Sequence, residues 1–136
     1  MSEAPDFPVP VERSLDGTLG LETLEVTPEQ ARSRAKVTDA LKQPWGLVHG
    51  GVYAAMAESL ASQATAYSVH EQGNIAVGLS NHTSFMRPVL DGHVNAHARR
   101  VHRGSTTWIW EVELTDDQGR LCALSRVTMA VRPARA

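Results

Sequence analysis

One segment of this 136-residue chain, Gly50–His70, has the composition of a long helix. It contains no proline and no glycine after Gly51, and it is rich in alanine and other strong helix formers. Gly73 follows as a plausible stop. At a rise of about 1.5 Å per residue such a helix is roughly 30 Å long. Because it is apolar around most of its circumference, the pattern predicts a buried central helix rather than an amphipathic surface one.

The remainder of the domain alternates between apolar and polar residues, as strands do, with turn residues between the segments. The predicted strands are Thr18–Val26, Arg32–Val37, Ile75–Met86, Gly92–Arg103, Thr106–Thr115 and Arg120–Val131. The first two predict a hairpin, and the last four predict an antiparallel meander. One apolar helix among five to six strands indicates an α+β fold in which a curved antiparallel sheet wraps around the helix.

Length and composition predict one domain. Of all residues, 42% are hydrophobic and 21% charged, as in ordinary globular proteins. Residues 1–14 are acidic and proline-rich and predict a flexible arm, and residues 15–136 form the single domain. The start of the chain has no basic segment like that of a secretory signal, and no apolar run approaches the roughly 20 residues that span a bilayer. With one cysteine, Cys122, no intrachain disulfide can form, and a cytoplasmic location is expected.

Glu58 is a lone carboxylate on the predicted helix. No lysine or arginine occurs from Gln43 through Met86, and the residues three and four positions away from Glu58 are three alanines and Ser62. A carboxylate without a partner costs free energy when it is removed from water. One interpretation is a solvated helix face, and the favoured one is a carboxylate that takes part in chemistry.

The basic residues consist of eleven arginines and only two lysines, Lys36 and Lys42. Arginine presents a planar fork that suits phosphate. The many arginines of the C-terminal half could therefore hold a phosphorylated ligand, although any single one could equally lie on the solvent face of a strand. The net charge of −2 and the lack of a combined basic and aromatic patch exclude nucleic acid as a favoured partner.

The chain resembles the hotdog-fold acyl-CoA thioesterases of the phenylacetate-pathway type, and among them the 4-hydroxybenzoyl-CoA thioesterases. The resemblance covers nearly all residues from Leu15 to Pro133. Its motifs are Gln43–Gly51, Ala57-Glu58, Ser80–Phe85, Arg87-Pro88-Val89 and Gly104–Trp108. His-Gly-Gly followed seven residues later by Glu is fairly specific for this branch.

The resemblance implies roles for four residues in thioester hydrolysis. Glu58 would be the catalytic carboxylate, as nucleophile or as general base toward water. Gly50 would offer its backbone N–H to the thioester carbonyl, which is reasonable because the first N–H groups of a helix lack acceptors and favour negative charge. Gln43 would contact the carbonyl side, and His49 would orient the loop. No metal site is expected, since His49 has no partner at ligand spacing.

Further residues follow from the same resemblance. Ser62, one turn after Glu58, would hydrogen-bond the carboxylate or the attacking water. Gln63 occupies a position where an acidic residue is expected, which leaves the acyl group open. His82 would make a structural hydrogen bond facing the helix. The residues expected to bind the phosphates and adenosine of coenzyme A are Arg87, Ser105, Thr106 and Arg135.

The expected reaction is hydrolysis of an aromatic, 4-hydroxybenzoyl-like acyl-CoA to the free acid and CoA, with no cofactor. The expected assembly is a homo-oligomer, a dimer of dimers, in which Gln43 and Gly50 come from one subunit and Glu58 from another. Two alternatives remain. A hotdog hydratase or dehydratase would use an Asp-His pair, but His49 has no aspartate close by in sequence. A non-catalytic acyl-CoA-binding protein would need no carboxylate at the thioester.

Overall fold

The computed structural model describes residues 4–135. Two α-helices, α1 and α2, are present in this range, at Leu15–Leu19 and Gly50–Val69. Short 3-10 turns occupy Val11–Arg13, Asp39–Leu41 and His70–Gln72. The strands β1 to β6 are Leu21–Val26, Gln30–Lys36, Asn74–Phe85, His93–Arg103, Thr107–Thr115 and Leu121–Pro133.

The six strands form one curved antiparallel sheet in the order β1-β2-β4-β5-β6-β3. The predicted α+β fold and the opening hairpin are confirmed. The first strand begins at Leu21 and not at the predicted Thr18, because Leu15–Leu19 forms the short helix α1, which was not predicted. The predicted meander is correct for β4, β5 and β6 but wrong for β3, which pairs with β6 instead of β4. In the connection after β3, the Val89 carbonyl accepts a hydrogen bond from the Val48 N–H, and β4 then pairs with β2.

Helix α2 lies against the concave face of the sheet and contacts all six strands. Its apolar side chains, among them Met56, Leu60 and Ala64, are buried. The sheet supplies the matching layer through inward residues such as Trp108, Trp110 and Val127. This confirms the predicted central helix, which ends within one residue of the expected position.

The described part of the N-terminal segment, residues 4–14, lies against the domain. Its 3-10 turn approaches α1 so closely that a Cβ on Gly17 would lie 2.5 Å from the Val11 carbonyl oxygen. Phe7 and Val11 line a cavity beside α2. The first three residues of the predicted arm lie outside the described residues.

Cys122 is fully buried in β6, and burial raises the pKa of its thiol. Within residues 4–135, neither helix combines the length and the apolar character that crossing a membrane requires.

Candidate active site

The N-terminus of α2 is built by the Gln43–His49 loop. Gln43 accepts a hydrogen bond from the Trp45 N–H through its side-chain oxygen, and its own N–H donates to the Leu47 carbonyl at 2.9 Å. Gly46 completes the turn with a φ of 92°, a conformation that favours glycine. The loop is tied to the fold because the Val48 N–H donates to the Val89 carbonyl. The Gln43 side chain is thereby held near the start of α2.

His49 is the N-cap of α2. Its Nδ1 accepts a hydrogen bond from the Gly51 N–H at 2.8 Å, which satisfies one of the donors that a helix start leaves open. The N–H of Gly50 forms no hydrogen bond to any residue in the range 4–135. The positive end of the α2 dipole therefore presents one unpaired N–H.

The N-terminus of α2, at Gly50, borders a cavity of about 600 Å³, here called the Gly50 cavity. Its walls include Gln43, His49, Tyr53, Phe85 and Arg87. Burial raises the pKa of the Tyr53 phenol above its ordinary value. A Cβ on Gly50 would lie 2.8 Å from the Phe85 ring, so a side chain at this position would require the ring to move.

Glu58 lies two turns further along α2, and its side chain is exposed in the single chain. No residue of the described range 4–135 forms a hydrogen bond or an ion pair with its carboxylate. The Glu58 carboxyl carbon lies 3.5 Å from the place where a Cβ on Gly78 would be, directly over β3. Glu58 is thus an unpaired carboxylate that faces β3, the strand at one edge of the sheet.

Glu58 borders a second cavity of about 270 Å³, here called the Glu58 cavity. Helix α2 contributes Ser59, Ser62, Gln63 and Ala66 to its wall, and the N-terminal segment contributes Phe7 and Val11. On its other side Glu58 lines an open groove with Asn81 and Phe85. The Phe85 ring is common to this groove and to the Gly50 cavity.

Ser62 lines the Glu58 cavity, but its hydroxyl donates to Met129 Sδ at 3.6 Å. The expected hydrogen bond from Ser62 to Glu58 is absent from the single chain. His82 also differs from expectation, because it is exposed and points away from the helix. The contact expected of it is made by Asn81, whose Nδ2 donates to the Ala54 carbonyl of α2 at 2.8 Å.

A β-bulge at Leu79 explains the difference at His82. The register between β3 and β6 shifts between Gly78 and Ser80. Side chains of a strand alternate between faces, and one extra residue reverses that alternation. Ala76 and Gly78 face α2 before the bulge, and Asn81 faces it afterwards. The bulge also lies at the position that Glu58 faces.

The four residues expected at coenzyme A fall into two groups. Arg87 follows β3 at the Gly50 end of the molecule. Ser105 and Thr106 form the exposed β4–β5 turn, and Arg135 follows β6 near Gly73, where β3 begins. Since β3 has 12 residues, about 40 Å of extended strand separates these ends. The single chain does not bring the four residues together.

Among residues 4–135, no group of three or more histidine, cysteine, aspartate or glutamate side chains has the arrangement of a metal site. Sequence reasoning missed two parts of the Glu58 cavity: its N-terminal wall and an inward serine, Ser33, on β2. The signal for Ser33 is present in the chain, because Ala-Arg-Ser-Arg-Ala at 31–35 alternates small and charged residues.

One long central helix, α2, against a curved six-stranded antiparallel sheet defines a hotdog domain. The family model described as the thioesterase superfamily matches residues 46–123. The chain belongs to this superfamily and is a thioesterase.

Three relatives bear on the site. A Mycobacterium tuberculosis protein, provisionally named an esterase, is 39% identical over 99% of each chain. Its solved structure covers 90% of this chain and 98% of its own, with a TM-score of 0.85. A 1,4-dihydroxy-2-naphthoyl-CoA hydrolase from Listeria monocytogenes is 36% identical over 89% of this chain and 98% of its own.

The third relative is a thioesterase from Staphylococcus aureus whose solved structure is 28% identical to this chain, with a TM-score of 0.85. The match covers 88% of this chain and 98% of that one. Two of its structures carry alanine in place of a glutamine and of a glutamate, at positions 15 residues apart. Gln43 and Glu58 are also separated by 15 residues.

Proposed function

We propose that this protein hydrolyses an aromatic acyl-CoA thioester, of the 4-hydroxybenzoyl type, to the free acid and CoA. The observation that carries the proposal is the unpaired Glu58 carboxylate on the wall of a cavity whose other side chains are mostly apolar or hydroxyl-bearing. The exceptions are Gln63 and Asp16, and the Asp16 carboxylate, unlike that of Glu58, accepts a hydrogen bond from Ser59. The 15-residue separation of Gln43 and Glu58, shared with the two altered positions of the Staphylococcus aureus thioesterase, supports it.

Glu58 is suited to act on a thioester carbonyl because no cation in the described range neutralises its charge. Its oxygen lone pairs are free either to attack the carbonyl carbon or to take a proton from an attacking water. In the first route an anhydride between Glu58 and the acyl group forms, CoA leaves as the thiol, and water releases the acid. In the second route water adds directly and CoA leaves in the same way.

The Gly50 N–H supplies the complementary group. As the carbonyl carbon becomes tetrahedral, negative charge develops on its oxygen, and an N–H at the positive end of a helix stabilises that charge. The Gly51 N–H is occupied by His49, so Gly50 is the free donor at this position. Because Gly50 has no side chain, a ligand can approach its backbone closely.

Glu58 and Gly50 of one chain cannot act on the same carbonyl. Eight residues separate them, which is about 12 Å along a helix axis. The Phe85 ring also lies between their two sites. A complete site therefore needs Glu58 from one subunit and Gly50 with Gln43 from another.

Strand β3 provides a surface for this association. Among the strands of residues 4–135 it pairs only with β6, so within this range its other edge is unpaired. Ile75, Val77 and Leu79 are 46%, 48% and 57% exposed, an arrangement that invites pairing with another strand. Two copies of one edge pair antiparallel about a twofold axis. A dimer of this kind, itself paired into a tetramer, is the proposed assembly.

The same antiparallel pairing would assemble the coenzyme A site. It brings the end of one β3 beside the beginning of the other, and so brings Arg87 of one subunit toward Ser105, Thr106 and Arg135 of its partner. Arginine forks and hydroxyl donors are suitable partners for the phosphates of CoA. The proposed site thus draws the four residues from two chains.

Replacing Arg87 or Arg135 by alanine is expected to raise KM more than it lowers kcat. Contacts to the nucleotide are remote from the carbonyl and act mainly through binding. Loss of a charged hydrogen bond costs about 1.5–3 kcal/mol, or roughly ten- to a hundredfold in affinity. Arg126→Ala, on the exposed face of β6, is the control. An unchanged KM in both variants would place the phosphates at other arginines, with Arg103 and Arg132 next to test.

Aromatic esters are expected to exceed long aliphatic esters in kcat/KM. A closed apolar cavity of about 150 Å³ accommodates benzene, and the Glu58 cavity of about 270 Å³ has room for one or two rings. The purified protein would be assayed by thiol release with 4-hydroxybenzoyl-CoA, benzoyl-CoA, 1,4-dihydroxy-2-naphthoyl-CoA and C12–C16 acyl-CoA. Faster hydrolysis of the long-chain esters would contradict the aromatic substrate class.

The hydratase alternative is disfavoured by the contacts of His49. A hydratase of this fold would pair a histidine with an aspartate near the helix start. Here His49 Nδ1 is occupied by the Gly51 N–H, and no carboxylate of residues 4–135 forms an ion pair with it.

A further inference from the structure

Ser33 has a buried hydroxyl for which the described residues provide no partner. The residue is 3% exposed, and its Oγ forms no hydrogen bond within residues 4–135. Burying a hydroxyl without a partner is unfavourable, so such groups usually meet one from outside the chain. Ser33 lines the Glu58 cavity.

Strand β2, which carries Ser33, leaves room for the Glu58 cavity because its inward side chains are small. The inward positions of β2 are Ala31, Ser33 and Ala35, all small and buried. Thr23 lies directly opposite Ser33 on β1 and lines the same cavity. Immediately after Thr23 the register shifts through a β-bulge, a device that redirects side chains beside functional sites.

Gln63 completes a polar group that we call the polar floor, consisting of Thr23, Ser33 and Gln63. Thr23 Oγ1 donates to Gln63 Oε1 at 2.9 Å, which holds the amide against β1. Gln63 is five residues after Glu58, about 7.5 Å along the helix axis. The polar floor is therefore separated from the carboxylate by roughly the length of a ring and its substituent.

The remaining wall between Glu58 and the polar floor is mostly apolar. Its apolar members are Phe7, Val11, Leu21, Leu60, Ala66 and Ala76. Its polar members, Asp16, Ser59 and Ser62, already have partners, since Ser59 donates to Asp16 and Ser62 to Met129. An apolar wall with a few convergent polar groups at one end orients a ligand by its polar substituent.

We propose that Ser33 is a specificity-determining residue, and that the polar floor binds a hydroxyl group on the acyl ring, at the end away from the thioester. The inference rests on the proposed thioester hydrolysis. A serine hydroxyl can both donate to and accept from such a hydroxyl. The Gln63 amide accepts from Thr23 and donates to Tyr67 at 3.4 Å, and its second N–H is a further donor for the ligand. A substrate without the hydroxyl leaves the Ser33 group unpaired, so the enzyme discriminates against it.

The test is Ser33→Ala, assayed with 4-hydroxybenzoyl-CoA against benzoyl-CoA and with 1,4-dihydroxy-2-naphthoyl-CoA against 2-naphthoyl-CoA. In at least one pair the wild type is expected to prefer the hydroxylated ester. The variant is expected to lose about tenfold in kcat/KM for that ester, the effect of one hydrogen bond, while the unsubstituted ester changes less than about twofold. Ser68→Ala, the same change on α2 outside the cavity, is expected to leave the ratio unaltered.

Two further measurements separate this proposal from the proposed function. The Tm of Ser33→Ala should equal or exceed that of the wild type, since no hydrogen bond is lost. Calorimetry with the Glu58→Gln protein, with and without Ser33→Ala, compares the Kd of both members of each pair without relying on turnover. If no ester is hydrolysed but the Kd ratio falls with Ser33→Ala, only the proposed reaction fails. An unchanged ratio, or a wild type that ignores the hydroxyl in both pairs, overturns the role of Ser33.

Discussion

Glu58→Gln is expected to lower kcat by several orders of magnitude while the affinity for the acyl-CoA ester changes little. Proton transfer or nucleophilic attack by a positioned carboxylate contributes about 10²–10⁴-fold or more, and an amide can do neither. Glutamine has nearly the same shape, so binding contacts persist. Because Glu58 has no partner in the described chain, its replacement breaks no hydrogen bond or ion pair of the single-chain fold. A loss confined to kcat therefore identifies a group that acts in the chemical step.

The measurements are steady-state kinetics, the Kd of the ester and the Tm of each variant. Glu71→Gln is a matched control, since Glu71 is also exposed and lies in the turn that follows α2. It should behave like the wild type. Turnover near the wild-type level in Glu58→Gln would end the assignment of Glu58. A fall in Tm together with the fall in kcat would indicate a structural role instead.

Two inactive variants are expected to restore activity when they share an oligomer. If Gln43 and Gly50 come from one subunit and Glu58 from the other, a mixed dimer of Gln43→Ala and Glu58→Gln contains one intact site and one doubly altered site. Isolated mixed dimers should therefore have about half of the wild-type activity, and a random equal mixture, in which half of the dimers are mixed, about a quarter. The prediction rests on the separation of about 12 Å between Gly50 and Glu58 in one chain.

The two variants would be co-expressed with different affinity tags, and the doubly tagged species would be isolated and assayed. Co-expression of two differently tagged Glu58→Gln chains is the control and should show no recovery. If the isolated mixed species is as inactive as its parents, the site lies within one chain. Sedimentation of the wild type provides a second check, because a stable and active monomer would contradict a shared site.

Local sequence was sufficient to predict the helix and most of the strands that surround the site. Gly50–Val69 forms a helix because alanine-rich sequence without proline strongly favours one, and its all-round apolar character required a central position. The β4, β5 and β6 segments were recognised for the same kind of local reason, their alternation and the turn residues between them. The isolation of Glu58 from basic residues was likewise visible, since it depends only on which residues are nearby in the chain.

The position of β3 depended on tertiary structure. Its sequence is compatible with pairing to either β4 or β6, because strand pairing is decided by what the whole sheet buries. The bulge at Leu79 had the same origin, and it reversed the faces of all later residues in β3. That reversal brought Asn81 instead of His82 to the helix. The bulge was not predicted because the β3 sequence shows the ordinary alternation of a strand both before and after Leu79.

The sequence by itself determined the single central helix, the curved antiparallel sheet and the lone carboxylate at Glu58, because these follow from local propensity, periodicity and charge. Only the tertiary structure brought the N-terminal segment and Ser33 to the cavity beside Glu58. These are contacts between residues far apart in the chain, and they arise only when burial of the whole core selects one packing.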